Sequence, residues 1–124
     1  MSLLLLDDEP AFRDIFQRYL EAKGFTVLTS GNGTEALSLF HEHAKDIALL
    51  VIDLILPNED SREIASYIKS VRPHLPVLYV SASSHQQVLN SGLLNPEDDF
   101  LEKPFSLSTL EQTIQTLLGS APAR

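Results

Sequence analysis

Short apolar runs alternate with longer stretches in which apolar residues recur at helical spacing. Leu3–Leu6 is wholly apolar and reads as a buried strand. In Pro10–Lys23, Phe12, Ile15, Phe16, Tyr19 and Leu20 fall at helical spacing, Pro10 suits a first turn, and Gly24 stops the helix. Phe25–Thr29, with β-branched Thr26 and Val27, predicts a second strand. Gly31-Asn32-Gly33 predicts a turn, and Thr34–Ala44 a second helix with Ala36, Leu37, Phe40 and Ala44 on one side. Ile47–Asp53 is almost continuously apolar and ends in a carboxylate, as a central parallel strand covered on both faces would. Ser61–Val71 predicts a third helix, with Asp60 and Glu63 spaced for a capping box. Pro76–Ser81 predicts a fourth strand and Ser84–Ser91 a short helix crowded by Gly92 and Pro96. Asp99–Glu102 predicts a fifth strand and Leu107–Leu118 a final helix striped by Leu110, Ile114, Leu117 and Leu118.

Five strand–helix repeats of this kind predict an α/β domain with a parallel sheet and helices on both faces. A chain of 124 residues holds one domain, read here as 1–119, with 120–124 as a tail or the start of a linker. A domain of this size buries roughly two-thirds of its unfolded surface and needs no covalent staple. There is no cysteine, which excludes disulfides, thiol catalysis and zinc–thiolate sites and suits a reducing compartment.

Charge narrows the partners. Seventeen acidic against nine basic residues give a formal charge of −8, so phosphate backbones and anionic membranes would repel this surface. Neither nucleic-acid nor membrane binding is expected. Leu3–Leu6 is far short of the ~20 residues that span a bilayer.

Candidate chemistry gathers where such sheets form sites, at the carboxyl ends of the strands. Asp7 and Asp8 follow the first strand, Asp53 ends the third, Ser81 ends the fourth and Lys103 follows the fifth. Taken singly, each has an ordinary reading: a solvated acidic loop, a helix cap, a turn serine, a surface lysine. Together they describe a different chemistry. Three close carboxylates repel unless a cation sits among them, and oxygen-only ligands suit Mg²⁺. Attack of a carboxylate on phosphorus gives an acyl phosphate; the protein then needs mainly to align the groups and neutralise the equatorial oxygens. Lys103 and Ser81 are suited to that second task.

Four segments carry a resemblance that spans nearly the whole chain: Leu6-Asp7-Asp8-Glu9, Val51-Ile52-Asp53-Leu54-Ile55-Leu56-Pro57, Val80-Ser81-Ala82, and Phe100-Leu101-Glu102-Lys103-Pro104-Phe105. They resemble the receiver domain of bacterial response regulators and hybrid sensor kinases. The resemblance implies a flavodoxin-like, doubly wound five-stranded sheet in the order 2-1-3-4-5 with five helices. It implies that Asp53 accepts phosphoryl from a histidine kinase or histidine phosphotransfer protein. Asp8 and Asp53 would bind Mg²⁺ with the Ile55 backbone carbonyl, and Asp7 would act through a water. Lys103 would meet the phosphoryl group, and Lys103-Pro104 would be cis. Ser81 and Phe100 would form a switch pair that reshapes the face of the fourth helix, fifth strand and fifth helix, through which a homodimer could also form. A buried core aromatic is the plainer reading of Phe100. The resemblance also implies a cytoplasmic domain that signals rather than acting as an enzyme. Arg72–Ser81 leans toward receivers attached to hybrid kinases.

The run after Pro57 departs from that family. Glu59 stands where an apolar residue is usual and Ser61 where glycine is usual. Only glycine takes positive φ freely, so a differently shaped loop is expected beside Ile55. This departure would suit a receiver-like interaction module that no longer uses phosphate. Bulky Ile55 would shield an acyl phosphate from water. A phosphatase of the haloacid dehalogenase type also uses an aspartate nucleophile, but it wants a second Asp where Ile55 stands. His41 and His43, two apart on a helix, face different ways and form no metal pair. His74 and His85 lie near chain turns and should be exposed. Gly31-Asn32-Gly33 lacks the rest of a nucleotide-binding fingerprint.

Overall fold

Leu3 to Leu6 are all fully buried, but alternate side chains enter different cores. Leu3 and Leu5 join Phe16, Leu20, Leu110 and Ile114, whereas Leu4 and Leu6 join Phe40, Ala65, Ile68 and Val88. A strand apolar on both sides is therefore packed on both sides, as its unbroken run predicts. The computed structural model describes residues 1–119. The tail expected over residues 120–124 lies outside the described residues.

The five strands are β1 (Ser2–Leu6), β2 (Thr26–Ser30), β3 (Ile47–Asp53), β4 (Val77–Ser81) and β5 (Asp99–Glu102). All pair in parallel, in the order β2-β1-β3-β4-β5. The helices are α1 (Pro10–Ala22), α2 (Gly33–His43), α3 (Ser61–Val71), α4 (His85–Asn90) and α5 (Leu107–Gly119). Phe16 and Leu20 of α1 and the stripe of α5 cover one face, while α2, α3 and α4 cover the other. The doubly wound architecture is the one expected.

The ends of the elements follow local chemistry. Gly24, at φ +96°, closes α1 in a backbone region open chiefly to glycine. Asn32 caps α2 by accepting from the Glu35 N–H at 2.9 Å, so the predicted Gly31-Asn32-Gly33 turn ends in the first residue of a helix. Asp60 caps α3 through the N–H groups of Arg62 and Glu63. Glu63 makes no return bond, so the box expected there is only half formed. The complete box is at α4, where Ser84 accepts from the Gln87 N–H and the Gln87 side chain accepts from the Ser84 N–H. That box supports a helix of only six residues.

The loop after Pro57 needs no glycine. Its positive φ falls on Asn58, at +60°, a residue type that tolerates this region. Pro57 before it suits the same tight turn, and Leu56 and Glu59 bridge across it. Ser61 turns its hydroxyl back onto the Leu54 carbonyl and so closes the loop with a side chain. Arg62 then reaches across to Asp98 at 2.8 Å and lies over the Tyr79 ring, tying α3 to the segment before β5.

Candidate functional site

Register sets the level of the site. Leu6 pairs with Ile52, Asp53 with Val80, and Ser81 with Glu102. The residues at or just beyond these strand ends, Asp7, Asp8, Asp53, Ser81 and Lys103, therefore emerge at one edge of the sheet. The Lys103 N–H donates to the Ser81 carbonyl at 2.7 Å, which extends the β4–β5 pairing to the lysine itself. The Lys103–Pro104 bond is cis, as expected.

Asp7, Asp8 and Asp53 each place a carboxylate oxygen within 4.8 Å of the others. Trans ligands of one small cation with ~2.1 Å bonds lie ~4.2 Å apart, so this set needs little closing to hold one. The three differ in exposure: Asp7 is fully buried, Asp53 nearly so, and Asp8 open to solvent. Asp7 is already committed, since one of its oxygens accepts from the Glu9 N–H at 2.9 Å and the other from Lys103 Nζ at 2.7 Å. Asp8 makes no hydrogen bond among the described residues and stands free to bind an ion.

Asp53 is held at both oxygens, more closely at one. Its Oδ1 accepts from the Ile55 N–H at 2.9 Å, and its Oδ2 lies 3.4 Å from Lys103 Nζ. Burial pushes its carboxyl above the usual range; the Ile55 N–H and the Lys103 charge oppose this, and the neighbouring Asp7 adds to it. For Lys103, burial disfavours the charge, but its bond to Asp7 and the charges of Asp7 and Asp53 outweigh burial and raise its pKa. The ammonium stays protonated, fixed among acids.

Three neighbours of the site were not singled out as functional from the sequence. Glu9 reaches Lys103 at 3.1 Å, Phe12 places its ring centroid 4.4 Å below the ammonium, and Arg13 donates to the Asp7 carbonyl at 2.7 Å. Glu9 and Phe12 were in view only as an acid in a loop and a core aromatic; what makes them matter is a lysine about 90 residues away. Ser81 is buried, its hydroxyl accepting from the Ser83 N–H at 3.1 Å. Phe100 is half-buried and stacks on His85, centroids 5.2 Å apart and planes 18° apart. His74 and His85 are exposed, as expected, and His41 bonds Tyr67 rather than His43.

The family model of the response regulator receiver domain matches residues 3–115. The chain belongs to this family. Among curated proteins, this receiver domain is 34% identical over 116 residues to the response regulator SaeR of Staphylococcus aureus. The match covers 94% of the chain and 50% of SaeR, so the chain spans half the length of that relative. Among solved structures it is similar to the receiver domain of the hybrid histidine kinase CckA, at 29% identity and TM-score 0.79, covering 95% of this chain and 99% of that one. It is also similar to a response regulator receiver domain protein of Clostridium thermocellum, at 28% identity and TM-score 0.82, covering 95% and 94%. A third similar structure, the response regulator TrrA of Thermotoga maritima, was solved in complex with Mg(2+)-BeF; it shares 26% identity at TM-score 0.76, covering 94% and 97%. Receiver domains bind Mg²⁺ in an acidic pocket, and the Asp7–Asp8–Asp53 cluster of this chain is a donor set of that kind. No helix among the described residues is long and apolar enough to cross a membrane.

Proposed function

We propose that this receiver domain accepts a phosphoryl group on Asp53 from a phosphohistidine donor, a histidine kinase or a histidine phosphotransfer protein. The observation that carries the reading is the position of Lys103 Nζ, within 3.4 Å of both Asp7 and Asp53 at the rim of a three-carboxylate cluster. A buried acid beside a fixed ammonium is placed for transfer rather than for a surface ion pair.

An Asp53 carboxylate oxygen attacks phosphorus, a P–O bond forms, and the P–N bond to the donor imidazole breaks with its electron pair. The donor ring carries a proton on its other nitrogen, so the imidazole leaves neutral, and Asp53 carries an acyl phosphate. Asp8, Asp53 and the Ile55 carbonyl would hold Mg²⁺, with Asp7 acting on it indirectly, and the ion would supply positive charge against the phosphoryl oxygens. Lys103 turns from Asp53 toward the transferred group while Asp7 and Glu9 keep its charge in place. Ser81 and Phe100 serve as the switch pair, the hydroxyl moving to the phosphoryl oxygens and the ring following. Phosphorylation so shifts an existing equilibrium of the face formed by α4, β5 and α5, where a partner or a second copy docks. Ile55, half exposed beside Asp53, shields the acyl phosphate from water. The donor's chemistry points to a cytoplasmic setting.

Intact mass after incubation with acetyl phosphate and Mg²⁺ tests the reading. A gain of one phosphoryl group that needs Mg²⁺ and is absent in Asp53→Asn supports it. No gain in folded protein, with a phosphorylated histidine donor also failing, overturns it in favour of the phosphate-independent interaction module.

A further inference from the structure

The loop between β3 and α3 is short of burial: Ile55 and residues 57–60 are all exposed. Packing alone does not fix such a segment, so its polar bonds must. One ties its start to β4 and two close it on itself. The Leu54 N–H donates to the Val80 carbonyl at 2.8 Å, the Ile55 N–H to Asp53, and Ser61 to the Leu54 carbonyl. One side chain goes further. Both carboxylate oxygens of Glu59 accept from the Gly33 N–H, at 2.8 and 3.1 Å, on the first turn of α2.

We propose that Glu59 is a positioning residue for the divalent cation: anchored on the Gly33 N–H, it fixes the loop that presents the Ile55 carbonyl to the ion. The inference rests on the receiver reading above. Three observations meet in it. Leu56 and Glu59 bridge across the Asn58 turn, so restraining Glu59 restrains the strand of loop that begins at Ile55. The Gly33 N–H is one of the unpaired donors of a helix start, and a carboxylate is favoured there. Gly33 also leaves the space: a Cβ at that position would land against Glu59 Oε1 and 2.8 Å from Ile64 Cδ1. Alanine at 33 would therefore push the ends of the Glu59 and Ile64 side chains aside.

An exposed loop with little packing would otherwise sample several positions, and a metal ligand that wanders binds weakly. Partners bonded directly to a ligand are worth roughly 10–100-fold in metal affinity; an anchor one step further out should be worth about threefold to tenfold.

Calorimetric titration of the full chain with Mg²⁺ alone tests this in wild type, Glu59→Ala, Glu59→Gln and Gly33→Ala. Amide exchange at Ile55 and Leu56 is read in parallel. Glu59→Ala should bind Mg²⁺ about threefold to tenfold more weakly and exchange faster at both amides. Glu59→Gln keeps an acceptor without the charge and should recover most of the affinity. Gly33→Ala keeps the Glu59 charge but displaces its carboxylate; it should weaken binding similarly, with the urea midpoint read to show that the variant is folded. Wild-type affinity in folded Glu59→Ala or Gly33→Ala overturns the proposal. So does a Glu59→Gln variant as weak as Glu59→Ala, which would make charge alone responsible. Wild type that binds no Mg²⁺ overturns the receiver reading instead.

Discussion

Lys103 Nζ sits 4.4 Å from the centroid of the Phe12 ring, with Asp7, Glu9 and Asp53 around its other sides. The ring is itself fixed, edge-on to Phe105 and tilted against Phe16 at centroid distances of 5.9 Å. An aromatic face under a partly desolvated ammonium contributes about 0.5–2 kcal/mol. Phe12→Leu keeps apolar volume and removes that face. Phosphorylation of Asp53 by acetyl phosphate should slow about threefold to tenfold, while Mg²⁺ affinity stays at the wild-type value because the three carboxylates are unchanged. An unchanged labelling rate would show that the three acids alone orient Lys103.

Burial opposes the ionisation of Asp53, and Asp7 adds like charge. Without a divalent cation that repulsion works against the fold. Asp53→Asn should therefore be more stable than wild type in urea with chelator present, by about 1 kcal/mol. Lys103 loses only its longest contact, keeping Asp7 and Glu9. Mg²⁺ should reverse the order, since it stabilises the protein that binds it by about 2.7 kcal/mol at a hundred times Kd and leaves the variant nearly unmoved. A variant less stable than wild type in chelator would mean that the Lys103 pair outweighs the repulsion.

The strands and the acid cluster were legible because their signals are local. Four consecutive leucines have no helical face, and Asp53 and Lys103 declare themselves by standing next to strand ends. The resemblance to receivers added the order of the strands and the cis bond, which no spacing of residues contains. Glu59 was visible only as a departure; its purpose depends on Gly33, 26 residues earlier and brought near by the packing of α2 beside α3. The capping box was sought at Asp60 and Glu63 and stands complete at Ser84 and Gln87, because spacing marks where a box is allowed and side-chain rotamers decide where it closes. His85 was read correctly as exposed, yet exposure of one ring face says nothing of what the other face covers.

Asp46 supplies a pH dependence far from the carboxylate cluster. Its carboxylate accepts from Ser2 Oγ at 2.5 Å and from the chain's amino group at 3.0 Å, and these bonds, the serine first, hold its pKa below the usual value. A depressed carboxyl favours the fold wherever it is ionised, above the unfolded value of 3.8, and loses that effect as pH falls through its folded value. The urea midpoint of Asp46→Asn should lie below wild type near neutral pH, and the gap should close at pH values under the folded pKa. A gap independent of pH would assign the effect to packing at the start of β1 and not to charge.

His85 covers the ring on which the proposed switch depends. Phe100 pairs with Tyr79 in register, two residues before Ser81, so an inward turn of its ring goes toward the buried serine. In the present arrangement the ring lies half-buried under His85, and the His85 N–H is held by Glu102 of β5 at 3.1 Å. Turning inward gives up the stack, and an aromatic pair of this kind is worth about 0.5–1.5 kcal/mol. Because a ligand moves a two-state equilibrium only by its differential affinity, removing an interaction made in one state favours the other without touching the ligand. His85→Ala should therefore bind a beryllofluoride mimic of the acyl phosphate about twofold to tenfold more tightly in the presence of Mg²⁺, with Mg²⁺ affinity alone unchanged. Phe100→Ala should bind the mimic equally well with or without His85, since the stack no longer exists to be broken. Tighter binding of His85→Ala that persists in the Phe100→Ala background would place the effect of His85 on α4 itself, and weaker binding would mean that the stack belongs to the activated state.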